Sequence, residues 1–136
     1  MALDASRVIH GMYAKIFIDG VWQTNVEEIR AEVEIQKHEL NLLGDDWVRH
    51  KAGRKKGTGS MSGFKVTSEM IRRGFKRFEL IVTLEDPEAY GYERIRLMNV
   101  MLDKVQLVNV QADDVLREEV EFTFEGYELL DPIEAN

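Results

Sequence analysis

Phe78-Glu79-Leu80-Ile81-Val82-Thr83-Leu84-Glu85, the break Asp86-Pro87-Glu88-Ala89-Tyr90-Gly91, and Arg94-Ile95-Arg96-Leu97-Met98-Asn99-Val100-Met101-Leu102 together decide the fold. Past Asp103-Lys104 the apolar pattern resumes at Val105-Gln106-Leu107-Val108-Asn109-Val110. It closes with Glu119-Val120-Glu121-Phe122-Thr123-Phe124-Glu125-Gly126-Tyr127. Short apolar or alternating runs parted by turn residues predict an antiparallel β protein.

The chain upstream reads the same way. Ala14–Ile18, Asp19-Gly20 and Val21–Gln23 predict a hairpin, because Asp-Gly suits a two-residue turn whose central positions need positive φ. A strand is predicted from Glu28 to about Lys37. Ile29, Ala31, Val33 and Ile35 lie on one face, and Glu28, Arg30, Glu32, Glu34 and Gln36 on the other. The last strand repeats the device, with Glu119, Glu121, Thr123 and Glu125 opposite Val120, Phe122 and Phe124. Two sheet faces therefore carry rows of glutamate.

Between them, residues 40–57 lose all period and predict a long loop. Loops of that length without periodicity are usually functional or disordered. Leu42, Leu43, Trp47 and Val48 argue against disorder, and the segment is read as packing on another copy of the protein. Gly57–Val66 predicts a strand weakened by glycine, where small residues permit a close backbone approach. One helix follows, capped by Thr67 or Ser68, with Glu69 in its first turn and Arg72, Arg73, Lys76 and Arg77 at its end. Ile71 and Phe75, with Met70, form a stripe able to seal an open sheet, while Gly74 inside the helix costs up to about 1 kcal/mol relative to alanine. Residues 1–12 are read as an arm with little structure of its own.

With 136 residues, 44% of them hydrophobic, the chain predicts one domain (1–136) with a real core. No signal-peptide pattern or membrane-length apolar run is visible, so a soluble protein made in the cytoplasm is expected, with no membrane partner. The absence of cysteine excludes disulfides and thiolate metal sites. Net charge is −7, yet Arg49, Lys51, Arg54, Lys55 and Lys56 cluster with His50. The remaining 13 basic residues face 25 acidic ones, leaving the rest of the chain at −12. A basic loop on an acidic body points to association between complementary surfaces, to a local anion contact, or simply to a solvated loop.

Chemistry is hard to find. His10, His38 and His50 lack ligand spacing, so no metal site is expected. Asp45-Asp46 and Asp113-Asp114 fall in turn-like segments, where aspartate serves the backbone. Gly53–Gly59 fails as a phosphate loop because no Lys-Ser/Thr and no helix follow it. Trp22, Trp47, Tyr90 and Tyr92 lack interleaved cations and are read as packing residues rather than base-stacking platforms. Neither a catalytic residue nor a cofactor is expected.

Asp86–Ile95, the helix before it and the Phe122–Asp131 ending resemble the tail tube proteins of contractile phage-like particles, the PBSX-type defective-prophage and tailocin family. The likeness runs from about Gly11 to Asp131. The resemblance implies a mainly β fold with one helix (α+β), an antiparallel β-sandwich or barrel flanked by a short α-helix, related to the type VI secretion tube (Hcp) and siphophage tube proteins. It implies a structural virion protein and not an enzyme. Such subunits form hexameric rings that stack around a lumen for DNA, with sheath, tape-measure and baseplate proteins as partners. Assembly in the bacterial cytoplasm and residence in a virion tail or phage-like particle follow.

In that setting Glu28, Arg30, Glu32, Glu34 and Gln36 are the first candidates to face the lumen, and Glu119–Glu125 the second. Leu42, Leu43, Trp47, Val48, Arg49, Lys51, Arg54, Lys55 and Lys56 are candidates for inter-ring contact, with the N-terminal arm. A type VI secretion tube subunit, or a monomeric small barrel binding an anion through residues 49–56, are the alternatives.

Overall fold

The computed structural model describes residues 2–135. Eight strands run β1 (Ala14–Ile18), β2 (Val21–Trp22), β3 (Val26–Leu40), β4 (Arg49–Phe64), β5 (Phe78–Leu84), β6 (Glu93–Leu102), β7 (Arg117–Phe124) and β8 (Gly126–Asp131). Among the described residues one α-helix, α1 (Glu69–Arg73), lies between β4 and β5. All pairings are antiparallel, in the order β2-β1-β5-β6-β7-β4-β3 with β8 also on β6.

This sheet folds into two layers because β6 changes partner along its length. Arg94–Met98 pair with β8, whereas Met101 and Leu102 pair with β7. The corner falls at Asn99, with φ of 53°, and at Glu125, whose amide donates to the Met98 carbonyl at 3.0 Å. A strand that bends from one layer to the other is the usual way to turn such a corner. Between the layers lie Ile16, Ile18, Phe78, Leu80 and Leu97 from one side and Met61, Val120, Phe122 and Phe124 from the other, closed by Val100 and Leu102.

The Asp19-Gly20 turn is present, with φ of 49° and 84°. Its aspartate is also a tether: one carboxylate oxygen accepts from the Glu79 amide and the other from Arg73, both at 3.0 Å. The β4 glycines are close-approach positions, as expected. Phe124 lies across Gly57 and Phe122 across Gly59, while the Asn25 carbonyl crowds Gly63.

Three expectations need correction. The long loop shrinks to residues 41–48, because β3 runs on to Leu40 and the basic run Arg49–Lys56 is the first half of β4. Both faces of that ribbon are wet, so its strand periodicity never shows in hydropathy. The helix stops at Arg73: Gly74 takes φ of 61° as its C-cap, so it carries no helix-interior cost, and Phe75 is exposed. Ser68 makes no side-chain capping bond, Thr67 Oγ1 instead accepts from the Glu69 amide at 3.5 Å, and Met70 alone of the stripe packs against the core. Finally, Val105–Val110 form no strand, and Leu107, Val108 and Val110 are exposed.

Candidate inter-subunit surfaces

The two glutamate rows share one face. Cross-strand partners stand side by side on a sheet, and here Glu28 pairs with Ser62 and Ser62 with Glu119; Arg30 pairs with Ser60 and Ser60 with Glu121. Glu32, Thr58 and Thr123 form the next row, and Glu34 stands beside Lys56. The small Ser and Thr side chains of β4 thus run as a floor between two acidic walls. Every one of Glu28, Arg30, Glu32, Glu34, Gln36, Glu119 and Glu121 is exposed. The first candidate lumen face and the Glu119–Thr123 part of the second are one surface, opposite the core, whereas Glu125 lies past the end of β7 and pairs with Arg77 at 2.6 Å.

On the other side of β3 burial runs out. Ile29 is half-buried, but Val33 and Ile35 are 41% and 42% exposed. Val33 borders, with Ile29 and Ala31, a cleft of about 320 Å³ whose opposite wall is Val82, Ile95, Leu97, Phe124 and Tyr127. Among the described residues strand β3 pairs only with β4, so its other edge offers backbone groups unpaired by those residues along 15 positions. Such an edge is adhesive unless something covers it. The alternation of β3 announces an apolar face. That this face is left half open follows only from the absence of a further strand beside β3.

Beyond Gly57, β4 leaves β7 and pairs with β3 alone, so Glu34–Leu40 and Arg49–Lys56 form a projecting two-stranded ribbon. At its tip Leu42, Leu43, Trp47 and Val48 are exposed, Leu43 and Trp47 most of all. Arg49, Lys51, Arg54, Lys55 and Lys56 line the ribbon and are exposed too. Asp45 shapes the tip: its carboxylate accepts from the Trp47 amide at 3.0 Å and from Arg49 Nε at 2.9 Å, which holds it below the usual aspartate range. All nine residues singled out for inter-ring contact therefore lie on this one ribbon.

The N-terminal arm makes two 3-10 turns, Ala5–Arg7 and Gly11–Tyr13, and is tied to the Asp86 turn. Asp86, almost fully buried, accepts from the His10 and Glu88 amides at 3.0 Å, and these bonds lower its pKa. Arg7 donates to the Glu88 carbonyl at 2.9 Å and lies over the Tyr90 ring. Trp22, Trp47, Tyr90 and Tyr92 are exposed rather than core. At the far end of β7, burial pushes Glu118 up against the opposing pull of Lys65, and its Oε2 has no partner among the described residues. The described residues hold no group of three or more His, Asp or Glu able to bind a metal. None of their helices is long and apolar enough to cross a membrane.

This folded-back sheet with one short helix is the fold of tail tube proteins. The SPP1 tail tube subunit superposes with a TM-score of 0.72 at 8% identity, over 93% of this chain and 81% of that one. A chain of the PVC sheath-tube complex, from an extracellular contractile injection system, gives 0.68 at 6% identity over 90% of both chains. A chain from the C6-symmetric tail of an empty gene transfer agent particle gives 0.61 at 12%, covering 96% and 100%. In sequence, the chain is 32% identical to the phage-like element PBSX protein XkdM of Bacillus subtilis strain 168, over 95% of each. It is 31% identical to YqbM of the same organism, over 99% of each. The profile of the phage tail tube protein family matches residues 1–131. The chain belongs to that family and is a structural tail tube subunit.

Proposed function

We propose that the whole chain, residues 1–136, acts as one tube domain that closes with sister copies into six-membered rings. The rings stack into a hollow tube, assembled in the bacterial cytoplasm, through which DNA passes. The face bearing Glu28, Glu32, Glu34, Glu119 and Glu121 lines the channel. Its carboxylates repel phosphate, so DNA slides rather than binds. Ring closure satisfies the free edge of β3 and removes its apolar side chains from water. The single observation that carries this reading is the merging of both glutamate rows into one surface beside an unpaired 15-residue edge. The C6 symmetry of one fold neighbour, the sheath-tube complex that holds another and the baseplate that holds a third support six-fold rings with sheath and baseplate partners, and a tape-measure protein is proposed beside them.

The ribbon makes the ring-to-ring contact. Removing Asp45–Lys55 would cut seven residues out of β4 (Arg49–Lys55), so the cleaner test replaces Leu42, Leu43 and Trp47 by serine. The variant should keep the native circular dichroism spectrum and form no tubes by electron microscopy. Tubes of normal length from it would overturn the role of the ribbon.

A further inference from the structure

Strand β4 has a free edge of its own. From Gly57 to Phe64 it lies between β3 and β7, but from Arg49 to Lys56 it pairs, among the described residues, with β3 alone. The column that β7 vacates at Phe124 is filled by no other strand of those residues. A cleft of about 460 Å³ lies there, lined by Lys55 and Gly57 of β4 and by Glu125 and Gly126 of the corner. Backbone N–H and C=O groups on such an edge take up an added strand.

The side chains of this edge carry one sign. Arg49, Lys51, Arg54, Lys55 and Lys56 are exposed with no acidic residue among them, and of the five only Arg49 has an ion pair among the described residues, with Asp45. The acids of the ribbon lie off this edge: Glu34 and Glu39 stand on β3, and Asp45 and Asp46 at the tip. The partner that fits is an extended acidic segment. A strand is favoured over nucleic acid on two grounds. No Phe, Tyr or Trp lies between Arg49 and Lys56 to stack on a base, and a phosphate chain would leave the backbone groups unpaired.

The chain itself carries such a segment. The first half of β3, Val26–Val33, holds Glu27, Glu28 and Glu32 against the single cation Arg30, all four exposed. Its outer edge has no partner among the described residues. Glu27 meets Arg117 at 3.6 Å and Glu32 meets Arg30 at 3.5 Å, whereas Glu28 has no ion pair among those residues. Within one chain the two free edges cannot meet, because β3 and β4 pair through their other sides. The two strands are antiparallel, so turning a copy about an axis along the strands lays its β4 antiparallel to the β3 of the next.

We infer that the Arg49–Lys56 edge of one copy pairs with the Val26–Val33 edge of β3 in the neighbouring copy, cations against carboxylates. This rests on the proposed closure of the β3 edge between copies and names the strand that takes it. Opposite charges on facing strands favour a pair and like charges oppose it, which decides which edge meets which. Two different edges joined in this way make a heterologous contact, the kind that closes into rings.

Charge exchange tests the pairing. Glu28→Lys/Glu32→Lys and Lys51→Glu/Arg54→Glu should each keep the wild-type circular dichroism spectrum and form no tubes at concentrations where the wild type does. All four changes in one chain should restore the tubes. Inside a chain Glu28, Glu32 and Lys51 stand beside Ser62, Thr58 and His38, so the rescue arises only between copies. Tubes from either double variant alone, or none from the combined one, would overturn the inference while wild-type tubes leave ring closure standing. Normal tubes from Lys51→Glu/Arg54→Glu with lost retention of duplex DNA would assign the basic edge to nucleic acid instead. Should a reversal unfold the chain, Glu28→Cys combined with Lys51→Cys or Arg54→Cys carries the test in a protein without other cysteines. A reducible ladder of multimers is expected from at least one of these pairs, and its absence from both overturns the pairing. A wild type that forms no tubes would overturn ring closure and the pairing together.

Discussion

The ring of Phe122 lies over Gly59 on the neighbouring strand so closely that a Cβ there would stand 2.5 Å from Phe122 Cζ and 2.5 Å from the Arg30 carbonyl oxygen. One neighbour is a fully buried ring and the other is backbone, so neither can yield. This contact places the small floor of β4 directly behind the acidic face and sets how closely β3, β4 and β7 can approach. Gly59→Ala is expected to cost about 2–3 kcal/mol, the scale of overpacking a tight core. Gly11→Ala, with nothing within 4 Å of the added carbon, should stay within about 0.5 kcal/mol. Urea unfolding at concentrations below assembly compares them; equal stability of the two would contradict the packing described.

Asp86 fastens the arm. Its carboxylate accepts from the His10 and Glu88 amides, which hold its pKa below the ordinary value. A carboxyl depressed in the folded state adds stability above its unfolded pKa and loses it as pH falls through the folded one. The tether should therefore be complete at neutral pH and weaken only below the usual aspartate range. Asp86→Asn removes the charge at neutral pH, and trypsin should then cleave after Arg7 several-fold faster. Unchanged cleavage would show that the arm is held by other means.

Glu118 carries the opposite sign. Burial raises its pKa, so its ionised form opposes folding once pH exceeds the ordinary glutamate range. Glu118→Gln should raise the melting temperature at neutral pH by a few degrees, with the gain shrinking as the solution is acidified through the carboxylate range. A gain independent of pH would assign the effect to packing instead.

Reversing the acidic face should convert a sliding surface into a binding one. Tubes of Glu32→Lys/Glu119→Lys/Glu121→Lys are expected to retain duplex DNA at low salt. The affinity should fall about 40-fold between about 50 mM and about 200 mM salt if three phosphates are contacted. Wild-type tubes should retain none. Equal behaviour in a retention assay would place these residues away from the DNA path.

What the sequence discloses depends on whether a signal is local. The Asp19-Gly20 turn and the Glu28–Gln36 alternation are written in neighbouring residues and are legible. The Arg49–Lys56 half of β4 is not. It is held by cross-strand pairing to β3 outside the core, and charges on both faces erase the period. The length of α1 is also hidden, because Gly74 acts as a cap only once the turn into β5 fixes its φ. Val105–Val110 has strand-like composition, yet no neighbouring strand is there to pair with it. The candidate surfaces follow the same rule. Each glutamate row is visible alone, but their union on one face depends on β4 lying between them with Ser60 and Ser62 as shared partners.

The central claim is that this chain completes its sheet only beside its own copies. Cryo-electron microscopy of the purified protein at high concentration tests it most directly. The expected result is hollow tubes of stacked six-fold rings, with β3 paired to a neighbouring subunit and Glu28, Glu32, Glu34, Glu119 and Glu121 lining the lumen. A solitary monomer at every concentration, or tubes with that face turned outward, would contradict it.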